Sequence, residues 1–250
     1  AHHVRWGEAT NICLSAMNSK IKSYLISHGS HIYGDDVMSR YANKTLSDGM
    51  LTSRLGTISV IQSPLAKKLF NNINSNTKSI DVKPLMWGHP KLNSPNIKKN
   101  IFTILHAGTY KRLGARVWIY ETSSEYIFGL SLLIKAISQI KDTRLIIRVR
   151  EEPIECDMNA IKQLLPKSKC YQLSKTLSFK DDLERSDMLI SYSSTTIEEA
   201  LYQNIPVGLF GGSSRYSHIP KISKNHKITK KYPVYNLSKE NLLNQLKDIK

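Results

Sequence analysis

Between residues 101 and 210 the chain alternates short apolar runs with longer amphipathic stretches, and that alternation leaves few folds open. The runs 101–107, 144–149, 187–192 and 206–210 are rich in apolar residues, and 169–173 is a shorter, more mixed run. Continuous apolarity over five to seven residues reads as strands buried on both faces. The stretches 123–140, 157–165, 178–185 and 195–202 read as helices. Ser123 or Ser124 would cap the first of these, Pro166 ends the second, and Asp181 and Asp182 favour the dipole at the start of the third. Strands joined through helices form a mostly parallel, doubly wound α/β sheet.

The first part of the chain is more interrupted. Residues 22–27, 57–61 and 79–84 read as short strands, and Pro64 suits the first turn of a helix reaching Phe70. Strand, turn, helix, strand is half of a doubly wound domain. Residues 84–99 contain three prolines and a polar tail and read as a linker. The expected division is therefore a partial α/β domain over 1–95 and a second α/β domain over 96–250. The chain does not begin with Met and its first part is short, so an excised or truncated piece is expected.

Open parallel sheets bind ligands beyond the carboxyl ends of their strands. Directly after the run 187–192 stands Ser193-Ser194-Thr195-Thr196-Ile197-Glu198-Glu199. Small hydroxyls at a helix start, with free backbone N–H groups, suit a phosphate; a carboxylate one turn later suits ribose hydroxyls. The same residues also read as a plain capping box. Gly108 closes the run 101–107 and lets a backbone approach a ligand, or simply ends a strand. Arg148 and Arg150, two apart on one strand face, suit a diphosphate or pair with neighbouring acids such as Glu151 and Glu152. Arg215 and His218 follow Gly211-Gly212 in a loop beyond the run 206–210 and are candidates for donor or acceptor contact. His28, just after a short strand and before Gly29, is the candidate general base, with His31 as its competitor.

The stretch 179–210 resembles a recurring pattern of GT-B glycosyltransferases: a helix, then "ADxxIS", serines, a helix with "EEA", then "xxPV". Here it reads Arg185-Ser186-Asp187-Met188-Leu189-Ile190-Ser191, then the hydroxyl run, then Glu198-Glu199-Ala200, then Pro206-Val207. Asn204 stands where many members have Gly. Ile104-Leu105-His106-Ala107-Gly108-Thr109 resembles the opening strand and glycine loop of the same domain. The resemblance implies that Ser193, Ser194, Thr195, Thr196, Gly108 and Thr109 contact the donor diphosphate, with Arg148 or Arg150 neutralising it. It implies Glu199, or alternatively Glu198, as the ribose ligand. It further implies sugar transfer from a nucleotide-sugar donor to a surface polysaccharide or lipopolysaccharide, a glycan or lipid-linked acceptor, without a metal or other cofactor. Polyol-phosphate transfer from a CDP-glycerol-type donor and nucleotide-sugar 2-epimerisation use the same architecture.

Composition narrows the alternatives. The formal net charge is +16, from 36 basic against 20 acidic side chains. That charge suits phosphorylated substrates or peripheral contact with an anionic inner membrane, and raises a nucleic-acid binder as the rival class. No aromatic–basic interleaving or nucleic-acid module supports the rival. The three cysteines, Cys13, Cys156 and Cys170, are far apart and suggest a reducing, cytoplasmic setting. No P-loop, hydrolase elbow, GxGxxG, HExxH or DxD motif is present.

Overall fold

The computed structural model describes residues 7–27, 37–53, 55, 57–73, 76–85, 100–108, 120–149, 158–174, 178–216, 218–219 and 233–250. The chain divides into two compact units, Ala1–His89 and Pro90–Lys250.

In the first unit the order is α1 (Glu8–Asn18), β1 (Tyr24–Ile26), α2 (Val37–Ser47), β2 (Ile58–Ile61), α3 (Pro64–Asn72) and β3 (Ser79–Asp81). Strands β1, β2 and β3 pair side by side, all parallel. Helix α3 starts as its sequence requires: the Ser63 hydroxyl accepts from Ala66 N at 3.1 Å, and Pro64, which has no N–H to satisfy, opens the first turn. Its inner face packs Ala66, Leu69 and Phe70 against Leu51 and Ile61.

The second unit runs β4 (Phe102–Gly108), α4 (Ser123–Ile137), β5 (Thr143–Val149), α5 (Met158–Leu164), β6 (Tyr171–Leu173), α6 (Phe179–Glu184), β7 (Met188–Ser191), α7 (Thr196–Tyr202), β8 (Val207–Leu209), β9 (Val234–Asn236) and α8 (Leu242–Ile249). Its sheet has the order β6-β5-β4-β7-β8-β9, and every pair is parallel. The fold class is thus α/β with doubly wound parallel sheets. The sheet grows outward from β4 in one direction and from β7 in the other, so β4 and β7 flank the point where the winding reverses.

The core explains why the centres of β4, β5 and β7 are apolar. Leu105, Leu145, Ile147, Leu189 and Ile190 are completely enclosed, and helix α4 lays Leu130, Leu133, Ile134 and Ile137 on one face of the sheet. Each such side chain contributes roughly 1.5–3 kcal/mol through burial.

One expectation is corrected. The cap of α4 is Thr122, not Ser123 or Ser124: its hydroxyl accepts from Glu125 N, and the Glu125 carboxylate accepts from Thr122 N. This reciprocal arrangement satisfies two donors at once, which neither serine achieves. Beyond the run 206–210, β9 adds to the edge of β8. Residues 242–246 belong to α8, which packs against α4 and buries Leu242, Leu246 and Ile249 in the core of the second unit.

Candidate functional site

The chain places its hydroxyl-rich segment beside the winding reversal. Strand β7 ends at Ser191, Tyr192 turns inward and is buried, and Ser193, Ser194 and Thr195 lead into α7. Thr195 already has helical angles, φ −61° and ψ −14°, and its side chain makes no capping bond. Instead the Ser194 Oγ accepts from Thr196 N at 3.3 Å, a weak contact. The plain capping box therefore does not form. The Thr196 hydroxyl is buried without a hydrogen-bond partner, and so is the Ser191 hydroxyl. A buried hydroxyl without a partner is unusual in a folded core.

The two glutamates of α7 have different fates. Glu198 is buried, and its Oε1 lies 3.0 Å from Nε2 of buried His218. Glu199 is partly buried, and burial raises its carboxyl above the usual range, opposed by Lys180.

Across the reversal point stands the carboxyl end of β4. A Cβ at Gly108 would meet the Tyr126 ring at 2.8 Å, so glycine is required there for space. Within β4, His106 is enclosed, meets the Tyr126 ring edge-on at 5.8 Å and has no partner for Nδ1. Burial holds its imidazole neutral, with the pKa lowered to about 4.

Arg148, on β5, is tied within the fold. Its Nη1 donates to Asp182 at 2.8 Å, and Asp182 is buried on α6. Ser174 donates its hydroxyl to the same carboxylate at 2.5 Å. Pairing with this buried carboxylate helps to fix the guanidinium.

The loop after β8 is held against the start of α4. Its Gly212 N–H donates to the Glu121 carboxylate at 2.6 Å. A Cβ at Gly212 would fall 1.7 Å from the Glu125 carbonyl oxygen, so only glycine lets this loop and α4 meet. Arg215 forks onto both oxygens of Glu125 at 2.6 and 2.5 Å and donates to the Tyr120 carbonyl at 3.0 Å. That fork holds the Glu125 carboxyl down at about 2. Glu121 goes the other way: burial pushes it up to about 7, although the Gly212 N–H and the nearby Arg215 and Lys239 oppose the shift. Lys239 in turn donates to the Gly212 carbonyl at 2.7 Å.

Of the residues singled out in the sequence, Ser193–Thr196, Glu198, Glu199 and His218 come together around the start of α7, and Gly108 ends the strand next to β7. Arg148 is committed to Asp182 and Arg215 to Glu125. His28, Thr109 and Arg150 lie outside the described residues. Sequence reading missed Glu121, Tyr192 and Tyr216. Only the Thr122-x-x-Glu125 spacing signalled that the start of α4 was structured. Among the described residues no cluster of three or more His, Cys, Asp or Glu side chains forms a metal site. Among the same residues no helix is long and apolar enough to cross a membrane.

No protein-family model matches the sequence, and no curated protein matches it. Solved structures do resemble it. One is described as a GtfA/B complex, at 10% identity over 96% of this chain and 48% of that one, with a TM-score of 0.51. Another is described as the glycotransferase of kitacinnamycin, at 10% identity over 96% and 65%, with a TM-score of 0.50. A third is described as a UDP-N-acetylglucosamine 2-epimerase from Listeria monocytogenes, at 14% identity over 96% and 62%, with a TM-score of 0.49. The chain thus spans less than two thirds of the length of each of these structures. Likeness at this identity shows the fold: a doubly wound α/β fold of the GT-B type.

Proposed function

We propose that this chain supplies the nucleotide-binding unit of a GT-B-type glycosyltransferase, which moves a sugar from a nucleotide-sugar to a glycan or lipid-linked acceptor of a surface polysaccharide or lipopolysaccharide. The observation that carries this reading is the Ser193–Thr196 segment beside the winding reversal, followed within one turn by Glu199. Small hydroxyls and backbone N–H groups there suit the oxygens of a diphosphate. Glu199 accepts no hydrogen bond from any described residue, so both oxygens can take a ribose diol.

As the sugar–phosphate bond breaks, negative charge collects on the departing diphosphate, and donors already aimed at it lower the barrier. In this reading the hydroxyl segment and Gly108 provide those donors and the close approach. The acceptor's proton goes to a base, for which His28 is the candidate. A metal is not required by this scheme, and the basic surface favours docking at an anionic membrane face from the cytoplasm.

A thermal-shift panel of UDP-, CDP-, GDP- and CMP-linked compounds tests the reading. Stabilisation by one nucleotide class is expected, with affinity reduced about tenfold in Glu199→Gln and Ser194→Ala. No stabilisation by any of them contradicts it.

A further inference from the structure

The loop after β8 holds the hydroxyl segment at both of its ends. Before the segment, the Tyr216 N–H donates to the Tyr192 hydroxyl at 3.0 Å, and the Ser213 hydroxyl bonds with the same phenol. Tyr192 directly precedes Ser193. After the segment, His218 Nε2 lies 3.0 Å from Glu198 Oε1, and both side chains are buried. Residues 192 and 198 thus bracket 193–196, and residues 213, 216 and 218 of one loop hold them both.

The loop is in turn fixed to the start of α4. At its root the Gly212 N–H donates to Glu121 at 2.6 Å, while Lys239 donates to the Gly212 carbonyl at 2.7 Å. Further along, Arg215 forks onto both oxygens of Glu125 at 2.6 and 2.5 Å and donates to the Tyr120 carbonyl at 3.0 Å. A fork onto a carboxylate fixes direction as well as distance, unlike a single exposed ion pair. Arg215 stands between Ser213 and Tyr216, so this anchor sits amid the contacts with Tyr192. The groups that receive its guanidinium belong to α4 and to the residue two before its cap, not to the hydroxyl segment.

Two roles for Arg215 differ in sign. A guanidinium that binds phosphate directly is held back by Glu125, so removing the Glu125 charge frees it and tightens diphosphate binding. A guanidinium that anchors the loop loses its grip when the same charge is removed, and binding weakens.

We propose that residues 211–216 and 218 form a strap that couples the start of α4 to the hydroxyl segment, with Arg215 as its positioning residue and not a contact of the nucleotide. The effect on affinity rests on the nucleotide-binding reading above; the effect on the segment itself does not.

The experiment has two arms on the full chain, comparing the wild type with Arg215→Gln, Glu125→Gln and the double variant. Glutamine at 125 keeps an oxygen for the Thr122 N–H, so the helix cap persists. The first arm is amide hydrogen exchange without nucleotide. Arg215→Gln should speed exchange over 193–198 by about three- to tenfold and leave β6 unchanged. Unchanged exchange at 193–198, or an equal rise in β6, overturns the proposal. The second arm is titration calorimetry with UDP, CDP and GDP. Each single variant should bind about three- to tenfold more weakly than the wild type, and the double variant no more weakly than the weaker single. Unchanged or tighter binding in either single variant, or losses that multiply in the double variant, overturns the proposal. Failure of all three nucleotides to bind the wild type sinks the nucleotide reading instead, and the exchange arm then decides the strap alone.

Discussion

Glu121 makes the stability of the second unit fall as pH rises, and Glu121→Gln should remove that dependence. The carboxyl is pushed from the usual 4.5 to about 7, first by burial, against the opposing pull of the Gly212 N–H, Arg215 and Lys239. In the unfolded chain it loses its proton near 4.5; in the folded chain it keeps it until about 7. Between those values the folded state binds one more proton, so stability declines across that window and levels off above it. The shift corresponds to about 3 kcal/mol at full size. Partial exposure of the side chain reduces this, and about 2 kcal/mol is the working expectation. Glutamine retains a carbonyl oxygen for the Gly212 N–H, so the 2.6 Å bond can persist while the charge is removed. Urea denaturation of both proteins, followed by far-UV circular dichroism at about pH 5 and about pH 8, checks this. Relative to the wild type, the variant should gain about 2 kcal/mol on going from the lower to the higher pH. Glu125 does not confuse the result, since its carboxyl titrates near 2. An equal response of the two proteins to pH would refute the reasoning, and so would a carbon-13 titration of Glu121 near 4.5.

Other substitutions test separate contacts. Gly212→Ala brings a Cβ to 1.7 Å from the Glu125 carbonyl, so the loop after β8 or the start of α4 must move; a loss of about 3 kcal/mol or more is expected in denaturation. Asn204 has φ +60°, so Asn204→Ala should cost about 1 kcal/mol, while Asn204→Gly should not, as thermal unfolding would show. Asp182→Asn removes the buried carboxylate charge that pairs with Arg148 and should cost about 2 kcal/mol, measured by urea denaturation.

The strands of the second unit were legible because burial on both faces demands mostly apolar runs, as in 101–107 and 187–192. Asn204 sits in a left-handed turn, a conformation that asparagine tolerates better than any residue but glycine. Helices α1 and α2 escaped notice because their apolar residues do not mark a buried face. Ile12, Val37 and Tyr41 are exposed, whereas Ala42 and Asn43 are buried. Strand β9 is three residues long and gains its place only by pairing with β8. The site was legible as a segment and not as a network. The run Ser193–Glu199 announced itself by composition, but the partner that occupies Glu198 is twenty residues away, and the one that occupies Arg215 is ninety residues away. No local pattern encodes such pairings, which only the winding of the sheet brings together.

Amide hydrogen exchange with and without a saturating nucleoside diphosphate most directly tests the claim that the start of α7 holds a diphosphate. The account predicts slowed exchange over residues 193–199, with little change at the far edge of the sheet in β6. Tight binding that leaves 193–199 unaffected would contradict it.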